Sequence, residues 1–119
     1  MPSYRFQRSQ RLLEKTAFQR VFDQPCKSSD RYFVILTRHN NLTQARLGLA
    51  ITRKRVKRAT ERNRLKRLAR ETFRYHQYIL AGLDCIVLAR DGVDQVENRI
   101  LIHSLTKHWQ KLAQRCKKF

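Results

Sequence analysis

Residues 53–70 read Arg-Lys-Arg-Val-Lys-Arg-Ala-Thr-Glu-Arg-Asn-Arg-Leu-Lys-Arg-Leu-Ala-Arg, and they constrain the chain more than any other stretch. Ten of the 27 Lys and Arg residues fall in these 18 positions, against one acid, Glu61. Like charges this close repel, so the segment is costly unless a polyanion neutralises it. The second half also carries a helical period. Leu65, Leu68, Ala69, Thr72 and Phe73 recur at i, i+3, i+4, i+7 and i+8, one apolar stripe. At roughly 100° per residue, Arg62, Lys66, Arg70, Asn63 and Arg67 follow one another across the adjoining arc. One edge of such a helix packs on a core while the other presents polar side chains to phosphate. An ordinary solvated face mixes signs and gains from i,i+4 pairs. Here Glu61 stands alone and Glu71 turns partly away from the basic arc. The pattern points to a folded element that meets nucleic acid.

The rest of the composition narrows the class. A chain of 119 residues is enough for one domain and one core. At 41% hydrophobic residues it is no disordered basic tail. A formal net charge of +18 implies nucleic acid or an anionic membrane surface as partner. No stretch approaches the roughly 18 apolar residues of a membrane span, and Met-Pro-Ser-Tyr-Arg-Phe-Gln-Arg at the N-terminus has no apolar signal region. A cytoplasmic location is expected. Cys26, Cys85 and Cys116 are an odd, widely spaced set without Cys-x-x-Cys, which argues against a disulfide framework or a zinc knuckle. Cys85 lies in an apolar run and reads as a small core residue.

Taken in order, residues 1–13 read as a partly ordered basic arm. Residues 14–23 read as a short helix, with Thr16 as a possible cap and Phe18, Val21 and Phe22 on one stripe, stopped by Pro25. Residues 27–31 read as a polar loop. Residues 32–38 and 45–52 read as strands, expected to pair as a hairpin. In the second strand Leu47, Leu49 and Ile51 face one way, and Arg46, Gly48, Ala50 and Thr52 the other. That second face is small and polar, equally suited to a groove floor or to exposed sheet. After the basic connector, the central helix spans residues 59 to about 78. Residues 84–90 form a continuous apolar run, expected to be a strand buried on both faces and parallel to its predecessor across a βαβ unit. The last helix covers residues 97 to about 111, with Ile100, Leu101, Leu105, His108, Trp109 and Leu112 as its apolar stripe, and residues 115–119 form a frayed tail. The local reading is α-β-β-α-β-α, a single-domain α/β sandwich over residues 1–119.

Nothing in the chain assembles a convincing catalytic group. Asp91 and Asp94 flank a glycine turn, which accounts for them. His103 and His108 are five apart, the wrong spacing to share a helical face, and Ser28, Ser29 and Ser104 lie in no nucleophile elbow. The positive features serve binding.

The run Arg62-Asn63-Arg64-Leu65-Lys66-Arg67-Leu68-Ala69-Arg70, behind Arg53-Lys54-Arg55-Val56 and Ala59, resembles the bacterial ribonuclease P protein component family, whose helix pattern is Arg-Asn-x-x-Lys-Arg-x-x-Arg. The resemblance extends over the Phe18/Phe22 helix, the Leu-Gly-Leu strand, the strand ending Ala89-Arg90 and the Trp109 helix, and so spans essentially the whole chain. It implies an α/β sandwich of order α-β-β-β-α-β-α with a left-handed βαβ crossover, against the usual hand. It implies a protein subunit of the ribonucleoprotein endoribonuclease that removes the 5′ leader from precursor tRNA, the hydrolysis being done by the RNA subunit with Mg²⁺ that the RNA mainly binds. By this resemblance Lys54, Arg55, Arg62, Asn63, Lys66, Arg67 and Arg70 contact the RNA subunit, with Asn63 and Arg70 near the region that organises metal. Phe18, Phe22, Leu36, Arg46, Gly48 and Ala50 line the groove for the single-stranded leader, Leu36 standing where some members carry an aromatic. Arg53 stands where many members have a small hydroxyl residue. The expected partners are the catalytic RNA and the precursor leader, with no membrane and no protein partner required. The competing class is a general RNA-binding or ribosomal protein with no part in tRNA processing.

Overall fold

A strand that is apolar on both faces has to be covered on both faces and paired on both edges. In the computed structural model, which describes residues 8–12 and 14–116, the apolar run near residue 86 forms β4 (Leu83–Ala89), buried except at Leu88. With β1 (Cys26–Ser29), β2 (Phe33–His39) and β3 (Arg46–Ala50) it makes one sheet of order β1-β2-β4-β3. β2 runs antiparallel to both β1 and β4, placing Ile35 opposite Ser28 on one side and Val87 on the other. β3 runs parallel to β4, with Leu47 opposite Cys85 and Leu49 opposite Val87.

Two expectations are corrected here. The strands read at 32–38 and 45–52 are not hairpin partners, because β4 lies between them. A direct pairing would leave the most apolar strand on an edge with a row of unpaired backbone groups. The extra strand lies in residues taken for a polar loop. In β1 only Ser28 is buried while Lys27 and Ser29 are exposed, so its composition carries no apolar signal and pairing with β2 alone defines it. The turn joining the two is set by Asp30, whose Oδ1 accepts from the backbone N–H groups of Tyr32 (2.8 Å) and Phe33 (2.9 Å).

Side-chain alternation divides the sheet into two faces. Phe33, Ile35, Leu47, Cys85 and Val87 face the main core with α2 (Ala59–His76) and α3 (Asn98–Cys116). Leu36 and Ile86 face a smaller cluster under α1 (Lys15–Phe22), with Leu12, Val21, Phe18 and Ala50. Residues 65, 68, 69, 72 and 73 of α2 are all buried, as their spacing demands. α2 and α3 are joined at Trp109. Its Nε1 donates to Thr72 Oγ1 (2.9 Å), and its ring meets Phe73 edge-on at 5.6 Å.

Boundaries shift locally. Glu14, not Thr16, occupies the N-cap position of α1, and it makes no side-chain capping bond. Ile100 leaves the expected apolar stripe and is exposed, while α3 continues through Arg115 to a buried Cys116 where fraying was expected. That end is held by a Cys26–Cys116 disulfide, contrary to the reading of the cysteine spacing. The two residues are 90 apart in sequence, with Cα atoms 6.0 Å apart. Cys85 is buried as expected, and burial pushes its thiol up so that it stays protonated. Part of the N-terminal arm is packed. Leu12 is buried, its N–H donates to Leu47 O (2.8 Å), and Arg11 bridges Leu47 at the outer edge of β3. Residues 1–7, 13 and 117–119 lie outside the described residues.

Candidate nucleic-acid interface

Because the apolar stripe of α2 is pinned to the core, its basic arc is held at the surface as a rigid row. Asn63, Arg67 and Arg70 are exposed and Lys66 is partly so. Among the described residues no carboxylate lies within ion-pair reach of Lys54, Lys66, Arg67 or Arg70. Their charge is left for an external anion.

Other members of the run are engaged within the chain. Arg62 Nη1 donates to the carbonyls of Val56 (2.9 Å) and Lys57 (2.8 Å), folding the basic connector back on the start of α2. Arg64 pairs with Glu61 (2.9 Å) and reaches Asn98 Oδ1 (2.6 Å) and the Asp94 and Val96 carbonyls, tying α2 to the start of α3. Arg55 pairs with Asp91 at the surface (3.0 Å). Glu61 is therefore not alone.

The Lys66 and Arg70 side of α2 opens onto a cleft of about 290 Å³ at the outer edge of β3. Arg11, Leu12, Phe18, Gly48, Lys66 and Arg70 line it. It thus brings together an aromatic from α1, the backbone of β3 and two cations from α2, elements far apart in sequence. Its depth depends on Gly48. A Cβ at this position would stand 2.5 Å from Phe18 Cζ, so only glycine lets the ring lie this close to the strand. The small-residue face of β3 is thus a floor under an aromatic ring.

The other expected groove residues are placed differently. Phe22 is exposed at the far end of α1, and Leu36 and Ala50 pack in the cluster beneath that helix. Arg46 is held by Asp84 in a two-pronged pair, Nε to Oδ1 at 2.8 Å and Nη2 to Oδ2 at 2.7 Å. Asn40 Nδ2 also donates to that buried carboxylate (2.9 Å). The hydrogen bond to Asp84 raises the Arg46 guanidinium further above its ordinary value. Arg11 and Leu12, which line the cleft, carried no sequence signal beyond a basic arm; only the bridge to β3 brings them in.

Ser28, Asp30, Ser104 and His108 converge where β1 meets α3. Ser28 Oγ is 2.7 Å from His108 Nδ1, and Ser104 Oγ donates to Asp30 Oδ2. His108 Nε2 lies 3.0 Å from Asp30 Oδ2, close enough for attraction but off hydrogen-bond alignment. The residue types are those of a hydrolytic triad, but both Ser28 and His108 are buried away from any substrate. The group is a polar seam, set beside the disulfide. Burial pushes His108 below its ordinary value, with Lys111 and Arg115 acting the same way, against the pull of Asp30. Burial raises Asp30, but its bonds from Ser104 and the backbone of Phe33 and Tyr32, with His108, outweigh this and lower it.

Known proteins share this architecture. The Ribonuclease P family model matches residues 6–113. The ribonuclease P protein component of Methylococcus capsulatus is 44% identical over 113 residues, covering 95% of this chain and 88% of the relative. That of Photorhabdus laumondii is 48% identical over 106 residues, 89% of each chain. Among solved structures, the Staphylococcus aureus RNase P protein is 30% identical with a TM-score of 0.78, over 88% of this chain and 95% of that one. The Thermotoga maritima RNase P protein is also 30% identical, with a TM-score of 0.70 over 79% and 89%. With a match over nearly its whole length and the same fold beneath it, the chain belongs to the ribonuclease P protein family.

Proposed function

We propose that this protein, as the protein component of ribonuclease P, grips its catalytic RNA along the exposed edge of α2 and takes the 5′ leader of precursor tRNA into the cleft beside it. The observation that carries this reading is the lining of that cleft. Phe18 supplies a face on which any base can stack, and Lys66 and Arg70 supply charge for the backbone between bases. A leader of variable sequence needs that combination, since stacking and phosphate contacts read no bases. Lys54, Asn63 and Arg67 extend the same charged edge toward the RNA subunit. Arg62 acts by fixing the connector that presents Lys54, and Arg46 by holding β3 to β4.

Among the described residues no group of three or more His, Cys, Asp or Glu gathers to hold a cation. Mg²⁺ is held by RNA, and Asn63 and Arg70 act on it through the RNA they position.

The test is holoenzyme affinity for precursor against mature tRNA. Phe18→Ala is expected to weaken precursor binding by about 1–3 kcal/mol per lost stack and leave mature tRNA unchanged. An unaltered preference would remove the cleft from leader binding, and a protein with no preference to begin with would be a general RNA binder.

A further inference from the structure

The basic row of α2 does not end at the cleft. Arg67, Arg70 and Arg74 stand at i, i+3 and i+7, and Gln77 at the C-cap keeps helical angles, so Tyr78 continues the same line one turn on. Arg67, Arg70, Glu71 and Arg74 surround a shallow depression of about 180 Å³. The Arg74 guanidinium lies 4.8 Å from the centre of the Tyr75 ring. Tyr75 is 59% exposed and Tyr78 49%, two large rings at the surface at the end of a charged track.

We propose that Tyr75 and Tyr78 form a stacking platform for an unpaired base of the RNA subunit, whose flanking phosphates lie on Arg67, Arg70 and Arg74. This rests on the reading of α2 as the RNA-subunit edge, with which the patch is continuous. The surrounding charge decides the occupant. An apolar protein surface seated here would strip water from three guanidinium groups and return little, for the sole carboxylate in the depression, Glu71, approaches Arg74 only to 3.9 Å. An unpaired nucleotide satisfies both halves, its base on the rings and its phosphates on the arginines.

The experiment measures affinity of the full chain for its RNA subunit across a salt series. It uses Tyr75→Leu/Tyr78→Leu, which keeps apolar bulk without a flat face, Tyr75→Phe/Tyr78→Phe, which keeps the face, and Arg70→Ala. The leucine pair is expected to bind roughly 5- to 150-fold more weakly, the range of one stacked base, with the slope of log K on log salt unchanged. The phenylalanine pair is expected to stay within about twofold of the parent. Arg70→Ala should weaken binding and flatten the slope by about one. Undiminished binding by the leucine pair while Arg70→Ala is impaired overturns the platform and leaves the α2 reading standing. Undiminished binding by both overturns the two together. Equal losses for the leucine and phenylalanine pairs, or a dimer of the free protein that the leucine pair abolishes without loss of RNA affinity, would also overturn the platform.

Discussion

Gly48 sets how closely an aromatic ring can approach the sheet. A methyl group there would meet Phe18 Cζ at 2.5 Å, and the ring would have to swing off the strand. Gly48→Ala is therefore expected to cost about 1–3 kcal/mol of precursor binding, as loss of the stack would, with RNA-subunit affinity intact because Lys54, Asn63 and Arg67 are untouched. Equilibrium binding of both ligands checks it. Arg46 poses a different question, because Asp84 beneath it is buried. Arg46→Met is expected to destabilise the fold by about 3 kcal/mol, since a carboxylate is left without its charge partner. Arg46→Met with Asp84→Leu should recover most of that loss in urea unfolding. Lys66 and Arg70 could be named from sequence by charge and helical spacing, whereas Phe18 and Gly48 are placed in a groove only through the family resemblance, since an aromatic stripe reads equally as core and a small-residue face equally as exposed sheet. That Arg46 is committed to Asp84 could not be read there, because the partner lies 38 positions on and only the β3–β4 register joins them.

Among the elements, α2 is the piece most legible in the sequence. Its apolar period and its charge both survive without knowledge of neighbours, and its buried residues are the ones the spacing picks out. β4 is legible for a similar reason, as an unbroken apolar run. β1 is illegible locally, since a polar edge strand with one buried serine looks like a loop. The disulfide escaped for the same reason, because Cys26 and Cys116 meet only once β1 is placed beside the end of α3. The joint between α2 and α3 can be tested directly. Trp109→Ala removes the edge-on contact with Phe73, the bond to Thr72 and a fully buried volume. A loss of about 3–5 kcal/mol is expected in urea unfolding, with the basic row of α2 loosened in proportion.

Across the whole molecule, the seam between β1 and α3 couples stability to the medium. Burial holds His108 below its ordinary value in the fold. An unfolded chain takes up the imidazole proton first, so stability should decline as pH falls below about 6.5 and level off once the folded imidazole also protonates. Asp30, held below its ordinary value, contributes stability that is lost lower down, as pH falls below the usual aspartate range. Thermal melts of the parent against His108→Gln check the first decline, which the variant should lack. Reducing the Cys26–Cys116 bond releases a closed loop spanning most of the chain, and a loss of about 4.6 kcal/mol is expected on the chain-entropy picture. The sheet order has a further consequence. Because β4 stands between β2 and β3, the first three strands cannot complete a sheet on their own, and a polypeptide emerging from synthesis reaches the basic helix before the strand that unites it. For that interval the growing molecule is a polycation with half a scaffold, and its sheet is whole only once one greasy ribbon lies between two neighbours made earlier.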